Sequence, residues 1–125
     1  MRTLSSSIDI AAPPSLAWHL IATFDHWPDW GISVRGVAPP TGSVAEGFEG
    51  RVRTVAGFWL PFEITKVVDE TSWDWTVAGI TATGHHVAPL DAGCRVTFTA
   101  PGWAPFYLPA LAVSLRRLER IALAH

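Results

Sequence analysis

"PFYLPALAVSLRRLERIALAH", residues 105–125, is the stretch whose reading decides the fold. Leu111, Leu115, Leu118 and Ala122 recur at helical spacing, while Arg116, Arg117 and Arg120 fall on the other side. The segment therefore reads as one long amphipathic helix with a single apolar stripe. Such a stripe must be buried against another element. Pro105 suits a helix start, but Pro109 would remove a backbone bond if the helix already ran there. The helix should either kink at Pro109 or begin nearer Leu108.

Upstream, turn signals recur every eight to twelve residues and cut the chain into short apolar segments. Strands are expected at Phe48–Ala56, Phe58–Val68, Trp73–Val77, Ile80–Leu90 and Cys94–Ala100, with a shorter one at 32–38 before the connection PPTGS. Gaps this short imply hairpins, hence an antiparallel meander. At the N-terminus TLSSSIDI places Leu4, Ile8 and Ile10 on one parity, as in a half-buried strand. Pro13 and Pro14 end it. From Ser15 the period changes: Leu16, Leu20 and Phe24 fall four apart, a helical stripe of about ten residues. "DHWPDW" (25–30) follows as a tight turn or one helical turn, with Pro28 expected to push Trp27 out of the α region. The order is strand, helix, turn, six strands, long helix. The helix must then lie against a strongly bent antiparallel sheet, which makes the class α+β.

A chain of 125 residues fits a single domain, 1–125. Its lone cysteine, Cys94, has no internal disulfide partner and reads as a small core residue. Net charge is −2 and the arginines cluster only near the C-terminus, so there is no footprint for nucleic acid. No apolar run is long enough for stable membrane insertion, and the expected location is cytoplasmic. Charged residues are only 16% of the chain, whereas tryptophan occurs seven times and phenylalanine six. That aromatic surplus points to a lined cavity or an apolar contact surface.

Alternation along Ile80–Leu90 puts Ala82, Gly84, His86 and Ala88 on the concave face beside Trp73, Trp75, Val96, Phe98 and Ala100. His86 would be a polar group in that space, either satisfied structurally or a candidate acid/base, and His85 would point outward. Arg51, Arg53, Glu63 and Lys66 are expected on the solvent side or rim. Trp18 lies off the main stripe of its helix, half exposed or capping the sheet edge. His19, His26, Asp25 and Asp29 lack metal-ligand spacing, because Pro28 breaks any helix that would align them. Neither a serine-nucleophile elbow nor a phosphate-cradling glycine loop is present, and no cofactor is called for.

"IDIAAPPSLAWHLIATFDHWPDW" (8–30) and "GHHVAPLDAGCRVTFTA" (84–100), in this order of elements, resemble the START-like or SRPBCC superfamily and its polyketide cyclase/dehydrase-like branch. The resemblance spans nearly the whole chain. It implies a helix-grip fold, in which a curved seven-stranded antiparallel sheet wraps a long C-terminal helix and one or two short helices follow the first strand. It also implies a cavity between sheet and helix that takes a small hydrophobic molecule of lipid, polyketide or quinone type. The wall residues would be Trp30, Trp75, Phe98, Trp103, Leu111 and Leu115, with His86 orienting the ligand. In the alternative, enzymatic reading His86 moves protons in a cyclisation or dehydration. A third reading fills the cavity with side chains and uses the aromatic stretch Trp103 to Tyr107 as a homodimer surface.

Overall fold

The leucine stripe of the C-terminal helix finds its partner in one antiparallel sheet. The computed structural model describes residues 3–125. Strand β1 (Thr3–Ile10) is followed by helix α1 (Pro14–Ala22), a 3-10 turn (Phe24–His26) and the short helix α2 (Trp27–Trp30). Strands β2 (Val34–Ala38), β3 (Glu49–Thr54), β4 (Trp59–Val68), β5 (Ser72–Val77), β6 (Ile80–Leu90) and β7 (Gly93–Pro101) come next. A second 3-10 turn (Pro105–Tyr107) leads into α3 (Leu108–Leu123). Pro109 sits in the first turn of α3, where its missing N–H has no partner to lose, so the helix starts at Leu108 without a kink.

The sheet order is β1-β7-β6-β5-β4-β3-β2, every neighbour antiparallel. Strands β2 to β7 form the expected meander, and β1 returns to pair with β7, Ile10 opposite Cys94 and Thr3 opposite Pro101. Cys94 is fully buried there. Helix α3 packs on β1 and β7 and against α1 and α2. Leu111, Leu115, Leu118 and Ala122 are buried, and Arg116, Arg117 and Arg120 are exposed. Where the chain turns from α1 toward β3, Phe24 N–H donates to Gly42 O and Val44 N–H to Ala22 O.

Two local expectations are corrected. Trp18 is buried rather than half exposed, because α1 packs on β6, β7 and α3 together and presents more than one row of side chains to them. Trp27 adopts α-helical angles (φ −55°, ψ −43°) in spite of Pro28. Its indole is enclosed and Nε1–H donates to Ile21 O at 2.8 Å, so tertiary packing overrides the local steric preference.

Candidate functional site: a partitioned cavity on the concave face

The concave face has a filled half and an open half. In the filled half Trp27 stacks on Trp73 with ring centroids 4.9 Å apart and planes within 6°. Phe24 and Phe62 pack around Trp27. On the far side Trp73 stacks on the imidazole of His85 at 3.8 Å. Trp30 packs on Phe98 and donates Nε1–H to Leu20 O at 2.9 Å. What space remains here is a void of about 40 Å³, bordered by Trp30, Trp73, His85, Phe98, Leu111 and Ser114 among others. That is room for a water or so.

The open half is a cleft of about 350 Å³ between the sheet and the segment entering α3. Val52, Trp75, Val77, Ala82, Thr83 and Ala100 line its interior. Trp103, Phe106 and Ile80 border it and are exposed, Phe106 by 72% and Trp103 by 57%. No Asp, Glu, Lys, Arg or His is among its lining residues. Ser33, Val34, Trp75, Thr83 and Tyr107 border both the void and the cleft and so form the partition between them. Within it the hydroxyls of Ser33 and Tyr107 are hydrogen-bonded at 2.6 Å.

The placement of the two histidines is the main correction. His85 is buried and His86 exposed, the reverse of the alternation read along β6. The register explains it. Asp74 pairs with Gly84, but two residues along β5 Thr76 pairs with Thr81, so β6 carries one extra residue at Ala82–Thr83. Such a bulge flips the facing of everything beyond it. Ala82 faces the cleft as expected; Thr83, His85 and Val87 then take the inner face, and His86 turns to the outer one. The role of His86 as an orienting or acid/base group inside the cavity falls with that placement.

His85 is neutral and committed. Burial pushes its pKa down from 6.5 to about 3, against the opposing effect of its hydrogen bond to the Trp73 carbonyl. Nδ1 lies 3.2 Å from that carbonyl, which can only accept, so Nδ1 carries the proton. Nε2 is then an acceptor, and its partner at 3.0 Å is the Thr83 hydroxyl, which donates to it. Trp75 Nε1–H donates in turn to Thr83 Oγ1 at 3.0 Å. Among the described residues no buried side-chain N or O lacks a partner.

The remaining expected wall residues divide between the two spaces. Trp30, Phe98 and Leu111 border the small void, Trp103 borders the cleft, and Trp75 borders both. Leu115 borders neither: it is enclosed in the core beneath α3, because the stripe of that helix faces β1 and β7 rather than the open half. Arg51, Arg53, Glu63 and Lys66 are exposed, so Glu63 does not approach either histidine from within. His19 and His26 meet edge to face at 5.2 Å, and His26 pairs with Asp29 at 3.5 Å. No group of three or more potential metal ligands stands together among the described residues, nor is any described helix long and apolar enough to cross a membrane. Thr83, Ser33 and His85 were not anticipated in the site. A bulge between two small residues leaves no mark in the hydrophobic pattern, and Ser33 lies at the edge of its strand.

Comparison with known proteins agrees with this architecture. A family model described as polyketide cyclase / dehydrase and lipid transport matches residues 1–122, and the chain belongs to that family. Among solved structures, a protein from Bacillus halodurans superposes with a TM-score of 0.75 at 15% identity, covering 98% of this chain and 97% of that one. The Aha1 dimer of Colwellia psychrerythraea gives 0.70 at 19% identity, covering 99% and 96%. DynU16, from the dynemicin biosynthetic locus, gives 0.68 at 17% identity, covering 94% of this chain and 46% of that one. At these identities the likeness is one of helix-grip fold. No curated protein matches the sequence.

Proposed function

We propose that the protein binds a small, neutral hydrophobic or aromatic molecule, of the polyketide, quinone or lipid type, in the cleft beside Trp75. The observation that carries this reading is the cleft itself, about 350 Å³ with no charged side chain among its lining residues. That volume lies at the lower end of the range for small-molecule sites, which favours a compact ring system over a long acyl chain. A charged ligand would lose its hydration there without gaining a counter-ion. Trp75 and Trp103 both border the cleft and would supply aromatic surface to a flat ring. The family description, polyketide cyclase / dehydrase and lipid transport, supports the polyketide and lipid classes.

Native mass spectrometry of the protein isolated from its own host should reveal a bound mass lost on denaturation. A fluorescence titration with aromatic polyketides, quinones and fatty acids should then quench the emission of Trp75 and Trp103 in at least one class. No bound mass and no quenching by any of the three would end this reading.

The exposed Trp103 and Phe106 favour a second reading, in which the rim of the cleft meets a second copy of the chain. The Colwellia neighbour is described as a dimer. Elution at monomer mass across micromolar dilutions would refute the homodimer and leave the cleft open to solvent.

A further inference from the structure

We infer that Thr83 presents a hydrogen-bond acceptor, and no donor, to the cleft, so that the ligand is a neutral ring compound bearing a hydroxyl, phenolic or enolic, directed at Thr83 Oγ1. The inference rests on the cleft-binding reading and narrows it.

Proton direction through the network is set from one end. The Trp73 carbonyl has no hydrogen, so the His85 proton is on Nδ1 and Nε2 offers a lone pair. The one hydrogen of the Thr83 hydroxyl is taken by Nε2 at 3.0 Å, and one of its two lone pairs by Trp75 Nε1–H at 3.0 Å. What is left on Oγ1 is a single lone pair, and Thr83 borders the cleft. A ligand carbonyl or ether facing that atom would set lone pair against lone pair, whereas a hydroxyl would complete its coordination. Among the other hydroxyls on the partition, the Ser33–Tyr107 pair can donate or accept, since either oxygen can be the donor within the pair. It therefore serves both kinds of ligand, and on the partition the discrimination falls to Thr83. The β6 bulge is what brings this residue to the inner face.

Calorimetric titration of the intact protein with 1-naphthol, 1-methoxynaphthalene and naphthalene tests the assignment. Naphthol should bind about five- to tenfold more tightly than the other two, the worth of one neutral hydrogen bond. Thr83→Ser should keep that preference and Thr83→Val should abolish it. Because the valine variant strands Trp75 Nε1 and can fail to fold, His85→Phe provides an independent arm. Removing the Nε2 acceptor frees the Thr83 proton for donation, so the naphthol to methoxynaphthalene ratio should fall toward one. Equal affinities in the wild-type protein, or an unchanged ratio in His85→Phe, would overturn the role of Thr83 while leaving cleft binding intact. No binding of any of the three would overturn both.

Discussion

One sheet face meets two fates in this molecule. Over β5 and β6 nearest the helices, the tryptophans of α2 press down on Trp73 and His85 and leave about 40 Å³ unfilled. Further along the same strands and across to β3, Val52, Ala82, Thr83 and Ala100 offer short side chains, no residue of α2 reaches over them, and about 350 Å³ stays open. The backbone is the same curved sheet throughout. What separates a packed core from a binding cleft is a four-residue helix, Trp27–Trp30, that covers one half and stops. In a chain of this length the cavity is what the plug does not reach.

The largest effect expected from disturbing this contrast is on the plug. Trp27→Ala removes an indole that is 1% exposed, stacked and hydrogen-bonded, and should cost about 3–5 kcal/mol in urea denaturation. A loss under about 1 kcal/mol would mean the filled half is not packed as described. Next comes acid. Between about pH 6.5 and 3 the unfolded chain protonates residue 85 while the folded protein does not, so stability should fall as pH drops through that window. The slope would reach at most about 1.4 kcal/mol per pH unit. His85→Phe should flatten this dependence relative to wild type, and an identical slope in both proteins would show that His85 takes up its proton in place.

In the open half the signs reverse. Trp103→Ala should leave stability within about 0.5 kcal/mol, as for an exposed side chain, yet weaken ligand binding several-fold by calorimetry. If it destabilises the fold as Trp27→Ala does, the two halves are not distinct. The smallest effect belongs to His86→Ala, on the outer face: no measurable change in affinity and a stability change within about 0.5 kcal/mol. A clear loss of binding there would contradict the bulge.

The elements were largely legible in the sequence. Alternation and turn chemistry place β6 at Ile80–Leu90 without error and β7 within a residue at each end, because glycine and aspartate turns are local chemistry. The stripe of α3 is equally plain, since sixteen residues give the helical period room to show. Legibility fails where a decision depends on partners distant in sequence. The α2 turn is too short for any period, so nothing local distinguishes Trp27 and Trp30 as core from a pair of exposed rings. The facing of β6 depends on one extra residue whose presence only the pairing with β5 reveals. Both histidines stand in the sequence, and the alternation that would assign their roles runs across that discontinuity.

That extra residue also sets what a change in strand length would do. Taking out one residue at Ala82–Thr83 would leave His85 opposite Trp73 and the pairs of Gly84 to Leu90 with β7 intact, so both histidines would keep their places. What the deletion would take from the concave face is one of the two side chains set against Trp75, either the methyl of Ala82 or the hydroxyl of Thr83. The cleft can therefore gain or lose a polar group by a change of length that leaves the pairing on either side as it is.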